Sequence, residues 1–109
     1  MASKMYILVR EAVKEKDEGH AVLSVAHAVA AACLRWAHED SYKKWHKESF
    51  RKVLCLVSDK EFEKAKTYFA EQFDGIVMTE SALDNEEISI VFSPKEEWPK
   101  FFKFLRLWK

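Results

Sequence analysis

The hydrophobic residues of this chain fall into four short runs and one longer, small-residue segment. The short runs predict β-strands over residues 5–10, 53–57, 76–78 and 88–92. The first two are continuously apolar, which is typical of strands covered on both faces of a sheet. The last two are separated by Asp84 and Asn85, which favour a turn, so they predict an antiparallel hairpin.

The longer segment, residues 19–36, predicts the principal helix. It is rich in Ala and contains no Gly or Pro after Gly19. Small side chains allow close contact, so we expect this helix to pack centrally. Val22, Leu23 and Val29 point around much of its circumference, which predicts burial on more than one side.

Other signals predict the remaining helices and complete the element order. Ser58 followed by Glu61 matches a capping box and opens a second helix. Shorter helices are predicted over 41–48 and from 96–99 onward, and residues 104–108 either finish the last helix or form a strand. The whole chain, 1–109, is therefore expected to form one α/β domain with a mixed, roughly four-stranded sheet and helices on both faces.

Composition and charge exclude several classes of protein. The chain is 49% hydrophobic and 33% charged, which is ordinary for a globular domain, and its net charge of zero gives no global attraction to nucleic acid or anionic lipid. Two glycines cannot form a phosphate-binding loop. Cys33 and Cys55 both lie in apolar surroundings and are expected to be buried. No targeting or membrane-spanning segment is recognisable, so the expected location is the cytoplasm, with no membrane partner.

The candidate chemistry is concentrated at the start of the principal helix. His20, Ser24 and His27 are spaced by four and three residues, which places them on one helical stripe. A helix N-terminus disfavours a protonated imidazole, so His20 is suited to accept a proton near pH 7. The alternatives are an exposed His20 without a role, a His27 that is buried in the core with its hydrogen bonds made, and a Ser24 that is hydrogen-bonded to a backbone carbonyl. His20 and His27 are about 10 Å apart along the helix, too far to share an ion, and no metal or cofactor is predicted.

A basic cluster offers a second candidate site. Cationic side chains interleave with aromatic ones and could bind an RNA backbone, namely Lys43, Lys44, Lys47, Arg51 and Lys52. The alternative is the solvated face of an amphipathic helix. The acidic segment 80–97 would oppose RNA binding if it flanked the same cleft. Aromatic residues near the C-terminus favour core or oligomer contacts, with a homodimer as the expected assembly.

Several segments resemble the type II peptidyl-tRNA hydrolase family. The first strand ends in Val9-Arg10, the helix opens with Gly19-His20, and residues 24–28 (Ser-Val-Ala-His-Ala) occupy the place of the family's Gln-Cys-Ala-His-Ala segment. The ending Phe92-Ser93-Pro94 is similar to the family's Gly-Pro. The resemblance covers nearly the whole chain and implies that family's mixed α/β fold. By analogy, it also implies hydrolysis of the ester of peptidyl-tRNA.

The departures from the family pattern concern the reactive groups. His20 stands where the family has its catalytic lysine, and the Asp-Ala-Gly-x-Thr segment is missing, with Thr79 or Glu80 as substitutes. We therefore expect a binding module or inactive relative that uses a cleft lined by Gly19, Ser24 and His27. The alternative is a hydrolase with His20 as base, acting on peptidyl-tRNA held by the basic cluster or on a small ester or amide. The expected partner is accordingly tRNA or a small-molecule ligand.

Overall fold

The computed structural model describes residues 2–109 as alternating strands and helices. The strands are β1 (Lys4–Arg10), β2 (Arg51–Val57), β3 (Gly75–Glu80), β4 (Glu86–Phe92) and β5 (Arg106–Leu107). The helices are α1 (Glu11–Lys16), α2 (Glu18–Trp36), α3 (Asp40–Glu48), α4 (Asp59–Lys64) and α5 (Lys100–Lys103). A π-helical turn, Ala65–Phe69, continues α4, and a 3₁₀ turn, Ser81–Leu83, joins β3 to β4.

The five strands form one mixed sheet in the order β3-β4-β1-β2-β5. β1 and β2 are parallel, from Lys4 opposite Arg51 to Arg10 opposite Val57, and the other neighbours are antiparallel. The predicted hairpin is confirmed as β3 and β4. The sheet has one strand more than predicted because the C-terminal segment adds the two-residue β5 at the β2 edge.

Alternation along β1 divides the core into two layers, one on each face of the sheet. Met5, Ile7 and Val9 pack with α2 and α3, while Tyr6 and Leu8 face the opposite layer beneath α4 and α5. Successive strand residues point to opposite faces, so a strand in the middle of a covered sheet is apolar throughout. The chain is therefore a single α/β domain with helices on both faces.

α2 buries one stripe rather than several sides, so the prediction of burial on more than one side is wrong. Its buried residues recur at three- and four-residue spacing, namely Ala21, Ser24, Ala28, Ala32 and Trp36. Val22 and Leu23 are 54% and 46% exposed. The helix lies on one sheet face, and a single supporting layer can cover only one side of a helix.

The helix after β2 begins as predicted and ends irregularly. Ser58 accepts a hydrogen bond from the Glu61 N–H, and the Glu61 carboxylate accepts one from the Ser58 N–H, which confirms the capping box. The chain then passes through the π-helical turn to Gly75. A Cβ at Gly75 would lie 2.9 Å from the Phe92 ring, so only glycine fits this approach.

Two further predictions are corrected by the structure. The last helix begins at Lys100 rather than at 96–99, because a residue preceding proline is biased away from the helical conformation and Pro99 itself is extended. Cys33 is exposed on the outer side of α2, whereas Cys55 is buried as expected.

Candidate functional site

One end of the sheet gathers polar and charged side chains from four parts of the chain. Because β1 and β2 are parallel, their carboxyl ends lie together, and the β3–β4 hairpin brings Glu80 opposite Glu86 at the same end. The N-terminus of α2 adds Asp17 and His20. We call the set Arg10, Asp17, His20, Glu80 and Glu86 the edge site.

Asp17 holds His20 through both oxygens of its carboxylate. As N-cap of α2, it accepts a hydrogen bond from the His20 backbone N–H at 3.1 Å, and its other oxygen lies 2.7 Å from His20 Nδ1. The side-chain bond to His20 is the main cause that lowers the pKa of Asp17. An imidazole held at Nδ1 has a fixed orientation, which leaves Nε2 available to another group.

The free nitrogen of His20 faces Glu80. His20 Nε2 lies 3.8 Å from Glu80 Oε1, which is within ion-pair range but beyond hydrogen-bond distance. The Glu80 side chain is only 15% exposed, whereas that of His20 is 32% exposed. The imidazole therefore lies between two carboxylates, with one of its sides open to solvent.

Arg10 ties the ends of β1 and β4 together. Its Nη1 donates to Glu86 Oε2 at 2.9 Å and to the Glu87 carbonyl at 2.7 Å, and its Nε donates to Asp59 at 2.9 Å. The guanidinium also lies 5.9 Å from the centre of the Phe62 ring. These contacts make Arg10 a structural link and leave it few donors for a ligand.

The lysines of this end are paired with carboxylates as well. Lys16 Nζ lies 2.6 Å from Glu86, and Lys66 Nζ lies 2.7 Å from Glu87. The hydrogen bonds from Lys16 and then Arg10 lower the pKa of Glu86, because both cations favour its charged form. With their ion-pair partners and the two carboxylates beside His20, these three cations face six carboxylates, namely Asp17, Asp59, Glu63, Glu80, Glu86 and Glu87.

The predicted stripe of His20, Ser24 and His27 is divided by the packing of α2. Ser24 is buried and donates to the Ala21 carbonyl at 2.7 Å, the alternative given for it above. His27 is exposed because it lies on the flank of the buried stripe. Gly19 lies in the first turn of α2, and Thr79 is exposed near the end of β3.

The basic cluster lies at the other end of the sheet from the edge site. Arg51 and Lys52 pair with the first residues of β1, while Arg10 is its last. Seven strand residues span about 20 Å, so the structure does not bring the cluster and His20 together. Lys44 of this cluster lies 3.7 Å from Glu96, in the acidic segment.

Sequence reasoning missed Asp17, the partner that orients His20. The signal was present, since an Asp three residues before His20 and next to the first helical residue is a common N-cap pattern. Arg10 and Glu86 were missed because their contacts join residues 76 positions apart. Only the sheet order brings them together.

The remaining observations concern ions, membranes and known proteins. Across residues 2–109, no three His, Cys, Asp or Glu side chains are arranged to hold a metal ion. Over the same residues, no helix combines the length and hydropathy needed to cross a bilayer. Comparison of the chain with models of known families and with curated proteins yields no match in either set.

Proposed function

We propose that this chain is a divergent relative of the type II peptidyl-tRNA hydrolases that binds a small ligand at the edge site and does not hydrolyse peptidyl-tRNA. This kinship is supported by the resemblance in sequence and by the mixed sheet, in which the principal helix α2 begins beside the ends of the strands. Fold alone does not determine activity, so the function rests on the site.

The observation that carries this proposal is the charge balance of the edge site. Arg10, Lys16 and Lys66 are already paired with carboxylates, and the carboxylates of this end outnumber its cations. The basic cluster that would hold a nucleic-acid backbone lies at the far end of the sheet. Phosphate groups brought to His20 would therefore meet like charges rather than free cations.

The same balance indicates the chemistry of the ligand. Asp17 and Glu80 offer carboxylate oxygens on either side of an imidazole, and carboxylates accept hydrogen bonds without donating any. A small ligand with N–H or O–H donors, such as a primary amine or a polyol, matches these acceptors. A cationic amine is favoured by the surplus of carboxylates.

The experiment is a titration of the ¹⁵N-labelled protein with a simple alkylamine, a simple polyol and inorganic phosphate, followed through backbone amide shifts. We expect the amine to move the amides of Asp17, His20 and Glu80, and phosphate to leave them unchanged. The Glu80→Gln variant removes one acceptor charge and should weaken the amine response. The matched control Glu97→Gln removes a charge at the other end of the sheet and should not. Phosphate shifts centred on His20 would contradict the proposal.

A second candidate, hydrolysis of a small ester or amide, is favoured by one contact. Asp17 holds His20 Nδ1 at 2.7 Å, which is how a carboxylate orients an imidazole that acts as general base through Nε2. Loss of such a base costs about 10²–10⁴ in rate. A nitrophenyl ester and a peptidyl-tRNA, each tested with the native protein and with His20→Ala, separate the candidates. Turnover of the ester alone that disappears in the variant would establish this second function.

A further inference from the structure

The outward side of α2 is apolar although it faces solvent. From Gly19 to Leu34 the helix carries no Asp, Glu, Lys or Arg. Leu34 is 89% exposed, and Val22, Leu23 and Cys33 are exposed on the same side. Large apolar side chains on a helix without charged residues are normally covered, so this exposed side indicates a contact surface.

An apolar groove of about 870 Å³ adjoins this side of the helix. Val22, Val25 and Val29 form one of its walls, while Leu54 of β2 and Trp108 form the other, with the exposed Lys109 beside Trp108. The groove exists because α2 packs most closely over β4 and β3 and leaves the β2 side of the sheet less covered. We call the exposed side of α2 together with this groove the α2 face.

We propose that the α2 face is a homodimer interface, in which the α2 helices of two copies pack antiparallel across a two-fold axis. Ala26 and Ala30 lie at the middle of the face and have the smallest side chains that a helix offers besides glycine. Small residues at a crossing point let two helix axes approach to about 8 Å. A two-fold axis requires a surface that fits itself, and small residues flanked by Val22 and Leu34 provide one.

The size of the α2 face suits a second copy. α2 has 19 residues and is therefore about 28 Å long, and the helix with its groove is about two helix diameters, or 20 Å, wide. This area gives about 550 Å² on each copy and about 1,100 Å² in total, which exceeds the approximately 1,000 Å² expected of a specific interface.

Charge also favours a second copy over a different partner. A partner with charged residues would bury them against the helix side of the face, which offers no counter-charge, since the one charged residue of the lining is the exposed Lys109. A second copy presents the same uncharged side chains, so no charged residue between positions 19 and 34 is buried on either copy. An uncharged helix from another protein is the competing occupant, and it would leave this chain monomeric in isolation.

Light scattering after size exclusion tests the proposal through a pair of variants. Ala26→Glu places a charge at the centre of the α2 face, and Ala12→Glu makes the same change at an exposed position of α1. We expect twice the monomer mass of 12.8 kDa for the native protein and for Ala12→Glu, and the monomer mass for Ala26→Glu. Circular dichroism checks that both variants keep their helices.

The reaction of Cys33 with a maleimide provides a second measurement that needs no folded variant. Cys33 lies on the α2 face, so its labelling in the native protein should slow at least tenfold as the protein concentration rises into the dimeric range. A native protein that is monomeric at every concentration would overturn the proposal. So would a dimer whose mass is unchanged by Ala26→Glu, or a Cys33 rate that does not depend on concentration. None of these results depends on ligand binding at the edge site.

Discussion

Replacement of Arg10 by Met should lower the free energy of unfolding by about 2 kcal/mol at pH 7. The hydrogen bond from Arg10 to the partly buried backbone carbonyl of Glu87 is worth about 1 kcal/mol, because the carbonyl loses a charged donor. The pair with Glu86 contributes about 1 kcal/mol, because that carboxylate is only partly exposed and keeps Lys16 as a second partner. Asp59 is 64% exposed, so its pair adds little.

The loss in free energy of unfolding caused by Arg10→Met should be smaller in acid than at pH 7. Glu86 has a folded pKa below its ordinary value of 4.5, so its ion pairs stabilise the fold above that value and are lost as the pH falls through the lowered one. Urea unfolding at pH 7 and at about pH 2 measures both deficits. We expect the acid deficit to be about half of that at pH 7, because the Glu87 carbonyl bond does not titrate. A deficit that is equal or larger in acid would refute this assignment of the Arg10 energy.

Three further predictions concern packing and thiol reactivity. Gly75→Ala should cost about 1–3 kcal/mol in urea unfolding, because its Cβ would clash with the Phe92 ring, whereas Gly19→Ala should be neutral or slightly stabilising, since its nearest neighbour would be 3.6 Å away. Ser89→Ala should leave stability unchanged or raise it by up to about 1 kcal/mol, because this buried hydroxyl has no hydrogen-bond partner among the described residues; a loss above 1 kcal/mol would show that a partner exists. Burial raises the pKa of Cys55 to about 11, so its thiol should stay unlabelled by a maleimide at pH 8 until denaturant is added, and rapid labelling of the native protein would contradict this burial.

Four of the strands and the starts of α2 and α4 could be predicted because their signals are local. The buried strand predicted over 53–57 lies within β2, and Ser58 with Glu61 forms the capping box of α4. Each of these two signals depends on residues within a few positions of one another. The turn at Asp84 and Asn85 was likewise predicted, and both residues adopt the positive φ that Asp and Asn tolerate better than most. The pattern of an apolar run or a cap does not depend on the rest of the fold.

The covered side of α2 and the contacts of the edge site could not be predicted in this way. Apolar residues surround α2, so its periodicity did not show which stripe lies on the sheet. Arg10 meets Glu86 only because β4 pairs with β1, a choice made by the whole sheet. The distance between the basic cluster and His20 likewise follows from the direction of two parallel strands and has no local signature.

The central position of β1 has a consequence for synthesis of the chain on the ribosome. Of the five strands of this sheet β1 is translated first, yet its neighbours are β2 and β4, which begin 47 and 82 residues later, at Arg51 and Glu86 after Lys4. Its apolar residues must therefore remain without a strand partner until β2 has been translated, and with only one until β4 has been translated. Sheets assembled from such distant segments fold slowly, and their folding intermediates expose apolar surface that is prone to aggregation. We expect a nascent chain truncated before Glu86 to be bound by chaperones and a chain that extends through Lys109 to escape them.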